Sequence, residues 1–186
     1  FEPEKPTAVR ATEAAPVDAA LQPIVALDTG RVCGAEFLPA TAPGDEGLQG
    51  ASAIALLRQA AAHASERIKA GDKSYFATVN ISPAQLLSDG FAADLRRVIS
   101  EYHLPQRALV LEFTDAESLF KDAESAKALK AVRSAGAALA YDGFGSGVSS
   151  LSKLHRHEFD ILKIGRAFLD DVAKNGGRRK IAAALA

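Results

Sequence analysis

SYFATVNISPAQLLSDGFAADLRRVISEYHLPQRALVLEFTD (residues 74–115) decides the fold, because it holds one full strand–helix–strand cycle. SYFATVNI (74–81) and LVLEFTD (109–115) are short, near-continuous apolar runs, as expected of strands buried on both faces in a parallel sheet lined by helices. Between them, Ser82-Pro83 supplies an N-cap and first-turn pair, and a second helical piece is predicted from near Asp89 to about His103. Downstream, a helix capped by Asp122 runs to Ser134 with Gly136 as its stop. AALAYDGFG (137–145), a short helix after Ser149, the strand FDILKIG (159–165) and a final helix from about Arg178 follow. Upstream, LQPIVAL (21–27) and RVCGAEFL (31–38) read as two strands joined at Asp28-Thr29-Gly30, and an Ala-rich helix over 51–70 ends at Gly71. Strand and helix alternate four times after Gly71, which predicts an α/β fold with mostly parallel strands.

The bulk properties bound the function. A chain of 186 residues with 48% apolar and 24% charged residues is sized for one domain with a real core. A formal net charge of −1 gives no reason to expect nucleic acid or an acidic membrane as partner. The one cysteine, Cys33, cannot form an intrachain disulfide; it is expected to be a buried structural thiol and fits a reducing, cytoplasmic setting. No apolar run approaches the roughly 18 residues of a membrane span. Residues 1–19, with Pro3, Pro6 and Pro16 and no apolar period, read as a linker, leaving 20–186 as the domain. The chain opens on Phe1 rather than Met, so we expect a piece of something longer, with any membrane anchor lying outside it.

Polar residues fall where parallel α/β folds collect their working groups, at the carboxyl ends of strands. Glu36 lies late in its strand, Asn80 near the end of the next, Glu112 within LEFTD, Asp142 at the close of ALAYD and Lys163 within ILKIG. Glu, Asn, Glu and Asp form an all-oxygen set suited to a hard divalent cation such as Mg²⁺, Mn²⁺ or Ca²⁺. A cation would relieve the repulsion of clustered carboxylates, and a neighbouring lysine adds charge for a phosphate, so the parts are those of metal-assisted phosphodiester chemistry. Taken singly, each of the five also reads as a lone polar group at a strand end. GFGSG lacks the Gly-Lys-Ser/Thr ending of a phosphate-binding loop and reads as a strand-to-helix turn. His155 and His157 read as exposed helix-end residues, and Lys174, Arg178, Arg179 and Lys180 as a solvated face.

At these residues the chain resembles the EAL family, domains that hydrolyse or bind the bacterial second messenger cyclic di-GMP. QPIVALDTGRVCGAEFL is similar to the family's opening strand pair, with Glu36-Phe37-Leu38 standing where Glu-Ala-Leu gives the family its name. Asn80-Ile81-Ser82 is similar to its Asn-Leu-Ser motif and LEFTD to Leu-Glu-Ile-Thr-Glu. Asp142-Gly143-Phe144-Gly145-Ser146-Gly147 with Ser149-Ser150-Leu151 resembles Asp-Asp-Phe-Gly-Thr-Gly-Tyr-Ser-Ser-Leu, and FDILKIGRAFL the Lys-Ile-Asp-Arg-Ser-Phe segment. The resemblance covers residues 21–186 in order. It implies an EAL-type (β/α) barrel, with Glu36, Asn80, Glu112 and Asp142 as ligands of a first metal and Lys163 at the catalytic lysine position. It also implies that Gln22 meets a guanine and that Leu38 and Phe168 line the nucleotide surface.

The departures bear on activity. Gly143 replaces the second Asp of the pair, Gly165 the Asp of Lys-Ile-Asp, and Asp115 the Glu of Thr-Glu. Pro39-Ala40-Thr41 stands in place of Leu-Arg-Trp, so a phosphate-binding arginine is absent. The family's Glu-Gly-Val-Glu motif, a later glutamine and the last two barrel strands do not appear before Ala186. These features lead us to expect a cyclic di-GMP receptor with a damaged phosphodiesterase centre and a vestigial Lys163. The resemblance further implies protein partners in a bacterial signalling or flagellar assembly. An active phosphodiesterase with unusual ligands and a nucleotide-independent scaffold are the alternatives.

Overall fold

A computed structural model describes residues 19–39, 50–114, 119, 123–144 and 159–165. Among these residues, six strands form one sheet in sequence order: β1 (Ala19–Val25), β2 (Val32–Pro39), β3 (Phe76–Asn80), β4 (Leu109–Phe113), β5 (Ala138–Phe144) and β6 (Ile161–Ile164). β1 pairs antiparallel with β2 through a short turn, and every later pair is parallel. Helices α1 (Gly50–Lys69), α2 (Pro83–Leu86), α3 (Phe91–Glu101) and α4 (Ala123–Ala135) occupy the crossovers. Among the described residues the expected α/β order is therefore present, with element ends shifted by one to a few residues, and the short helix expected after Ser149 lies outside them. Asp115, Asp122, the turn after Phe144, Phe168 and the final helix lie outside the described residues.

The helices form because their apolar residues recur at helical spacing. On α1, Ala53, Leu56, Leu57, Ala60, Ala61 and Ala64 are buried, and on α3 so are Phe91, Leu95, Val98 and Ile99. Alanine at four of the six α1 positions lets that helix lie close to the sheet. Ser82 starts α2 with a reciprocal cap: its hydroxyl accepts from the Gln85 N–H at 3.2 Å while its own N–H donates to the Gln85 side chain at 2.9 Å. The helix-facing side of the sheet supplies Phe37, Ala77, Val79, Leu109, Leu111, Phe113, Leu139 and Tyr141 to the same core.

The other face of the sheet is different in kind. Strand alternation and the pairing register place Glu36, Thr78, Asn80, Val110, Glu112, Ala138, Ala140, Asp142, Ile161 and Lys163 on it. Near the amino ends of the strands it is apolar, where Val110, Ala138 and Ala140 pack with Phe76 and Ile161. Toward the carboxyl ends it is polar. Lys163 on β6 reaches Glu36 on β2 at 2.9 Å, although in a flat sheet strands four places apart lie about 19 Å apart. The sheet is therefore curled, with this face inside. Cys33 is half-buried rather than fully buried, its thiol directed at the Ile24 carbonyl.

Candidate functional site

Four side chains from four strands meet at the carboxyl-end mouth of the curled sheet. The Lys163 ammonium donates to Glu36 Oε2 at 2.9 Å and to Glu112 Oε2 at 2.5 Å. Asn80 Nδ2 donates to the other Glu36 oxygen at 2.8 Å. Asp142 stands at the edge, 4.0 Å from the Lys163 nitrogen. Register explains the convergence: Asn80 is paired with Glu112, Glu36 lies one pair below Asn80 through Thr78, and the curl brings Lys163 over them.

Burial is uneven, and it sets the electrostatics. The Glu112 side chain is 1% exposed, and removal from water pushes its pKa up, with the Lys163 hydrogen bond working in the opposite direction. Burial works against the Lys163 charge as well, yet the hydrogen bonds to Glu112 and Glu36 outweigh it and hold that pKa above the ordinary lysine value. The buried Thr78 hydroxyl lies near enough to Glu112 to favour its charged form but has no hydrogen-bond partner among the described residues.

Of the remaining expected residues, Gln22 is opposite Glu36 on β1, on the same face, and exposed. Leu38 lies two residues beyond Glu36 and is half-buried. Phe168 lies outside the described residues. The donor set of three carboxylates and an amide suits a hard cation by its chemistry. Among the described residues, no three acidic, histidine or cysteine side chains converge as a ready-made metal cage. The Lys163 ammonium is shared between two of the acids instead.

Gly143 and Gly165, the two glycines that the resemblance sets where acids are expected, are neighbours in space. The Gly165 N–H donates to the Phe144 carbonyl at 2.9 Å, and a Cβ placed on Gly165 would lie 3.5 Å from the Gly143 carbonyl carbon. Gly143 has a left-handed φ of +80° at the point where the β5–β6 register shifts.

Sequence reading missed Asp160. Its carboxylate is gripped by Arg107 and Arg133 at the other end of β6. An acid heading the apolar run FDILKIG was the available signal, since a buried carboxylate needs partners.

The comparisons agree with this fold. The crystal structure of the EAL domain of Mycobacterium smegmatis DcpA is similar at 30% identity and a TM-score of 0.72, over 93% of this chain and 74% of that one. The Klebsiella pneumoniae BlrP1 manganese/cyclic di-GMP complex is similar at 26% identity and a TM-score of 0.73, over 97% of this chain and 47% of that one. Among curated proteins, the uncharacterized Mycobacterium tuberculosis protein Rv1357c is 32% identical over 165 residues, 80% of this chain and 54% of its own length. Pseudomonas aeruginosa cyclic di-GMP phosphodiesterase RocR is 34% identical over 90 residues, 48% of this chain and 23% of its own length. The chain thus spans about half the length of Rv1357c. The EAL domain family model matches residues 7–186, and with the curled parallel sheet and its carboxyl-end acids this chain belongs to the EAL domain family.

Proposed function

We propose that the chain is a receptor for cyclic di-GMP that holds the messenger at the carboxyl-end mouth and does not hydrolyse it. The observation that carries this reading is the cluster of Glu36, Asn80, Glu112 and Lys163 beside two glycines, Gly143 and Gly165, at positions where the family has acids. One Mg²⁺, Mn²⁺ or Ca²⁺ held by Glu36, Asn80, Glu112 and Asp142 would neutralise the acids and face a phosphate. Gln22 and Leu38 form the nucleotide side, and the family resemblance assigns Phe168 to the same role. The BlrP1 complex, which contains manganese and cyclic di-GMP, supports the ligand and the class of cation by likeness. Two-metal displacement needs acids on both ions, and neither glycine offers one. Lys163 then serves binding rather than chemistry.

The output of such a receptor is a protein contact, read here as a bacterial signalling, motility or flagellar assembly. A cytoplasmic position, free or as the cytoplasmic part of a membrane-anchored protein, goes with that reading. Among the described residues, no helix is long and apolar enough to cross a membrane.

Titration calorimetry with cyclic di-GMP, with and without Mn²⁺, tests binding, and chromatography of the incubated nucleotide tests turnover. Saturable binding with intact nucleotide is expected. Linear pGpG formed at enzymatic rates would establish the phosphodiesterase reading instead, and absence of binding would leave the scaffold.

A further inference from the structure

We propose that Asp160 is a positioning residue, which sets the register of β6 and so delivers the Lys163 ammonium to Glu36 and Glu112. Asp160 sits immediately before β6, at the opposite end of the strand from the mouth, and its side chain is 7% exposed. Its carboxylate accepts from Arg107 in the α3–β4 connection, from Arg133 Nη2 of α4 at 3.0 Å and from the Leu139 N–H of β5 at 2.9 Å. Its own N–H donates to the Leu139 carbonyl at 2.9 Å, so one residue clasps the Leu139 peptide at two points. Two guanidiniums make the burial of this carboxylate tolerable and give its position direction. Arg107 is itself held in a left-handed backbone conformation (φ +71°), with its N–H donating to the Gly136 carbonyl at 2.8 Å. The latch thus joins β6 to both connections that lead into β4 and β5.

The strand needs such a pin. β6 has four residues, and its pairing with β5 is interrupted by a register shift between Tyr141 and Phe144. Slipping a strand by one residue would turn Lys163 to the helix face, and slipping it by two would carry it about 6.6 Å along the sheet. Either move breaks both carboxylate contacts. The partners of Asp160 all lie near the amino ends of the strands, so its influence on the mouth passes through the placement of Lys163, three residues on.

The test compares Asp160→Asn with the parent chain in two backgrounds, Lys163 and Lys163→Met. The first readout needs no nucleotide: the ¹H–¹⁵N correlation of the Lys163 ammonium, assigned by its loss in Lys163→Met. It is expected in the parent and broadened beyond detection in an Asp160→Asn chain that still melts cooperatively. The second rests on the proposed cyclic di-GMP site: affinity should fall about tenfold in Asp160→Asn, as for other outer partners of ligating groups, and less than about twofold where Lys163 is already Met. An ammonium signal missing from the parent, or unchanged in the folded variant, overturns the proposal, and so do equal affinity losses in both backgrounds. If Asp160→Asn does not fold, Arg107→Gln, which removes an exposed member of the latch, carries the same readings. A parent that fails to bind cyclic di-GMP sinks the proposed function, and the ammonium signal alone then decides the role of Asp160.

Discussion

Three carboxylates, Glu36, Glu112 and Asp142, share the mouth with one ammonium, that of Lys163. With all four groups charged, the site carries a net charge of −2, which favours a divalent cation and opposes a bare phosphate. Lys163→Met should therefore raise Mn²⁺ affinity measured by calorimetry without nucleotide. The same change leaves the Glu112 charge buried without its cation. Stability in chelator should fall by roughly 2–3 kcal/mol in urea unfolding, less than for a fully buried pair because Lys163 is partly hydrated. Glu36 bridges Lys163 and Asn80, so Glu36→Ala should weaken cyclic di-GMP binding and flatten its dependence on divalent ions in the same titrations. Gly143→Asp should not yield pGpG by chromatography, because Gly165 still lacks a carboxylate. An aspartate there must also adopt φ near +80°, at a cost of about 1 kcal/mol.

The meeting of β2 and β3 shows how an element-level constraint tunes the site. Gly34 lies two residues before Glu36 on the inner face, and a Cβ there would come within 2.7 Å of the Phe76 carbonyl oxygen and 3.2 Å of its ring. The nearest atom is backbone, so it cannot swing away, and β2 would have to move off β3. Gly34→Ala should lower stability by about 1–3 kcal/mol, read by thermal or urea melting, as for other overpacked positions. It should also weaken cation binding, because Glu36 and Asn80 are carried by the two strands being pushed apart. The helices act more indirectly. Arg58 of α1 pairs with Glu101 of α3 at 2.6 Å, and the Ser65 hydroxyl of α1 donates to the Tyr102 carbonyl just past α3 at 2.9 Å, which fixes the backing of β2, β3 and β4.

At the scale of the molecule, β1 and β6 are the two edges of the sheet among the described residues. Unpaired strand backbone invites another strand. The β1–β2 hairpin also exposes Leu21, Val25, Leu27 and Val32. The isolated chain should self-associate in size-exclusion chromatography with light scattering, and Leu21→Lys combined with Val25→Lys should reduce the effect by putting charge on the edge. A stable monomer of the unaltered chain would contradict this.

Strand and helix order, the burial of the apolar runs and the nearness of polar residues to strand ends were legible because they are local. Period, caps and turn residues act over a few positions, and SYFATVNI or the Ala-rich stretch of α1 states its burial within one segment. The family, too, was readable from short motifs. What the residues could not state is which polar groups touch. Lys163 meets Glu36 across 127 positions of chain only because the sheet curls, and that curvature is the summed twist and packing of six strands rather than a property of any one of them. Asp160 escaped notice for the same reason: its partners, Arg107 and Arg133, are distant in sequence and come together only when β4, β5 and β6 lie side by side. Residue types decided what chemistry was available; the tertiary structure decided that the lysine lies among the acids, since only the packed sheet fixes distances between strands.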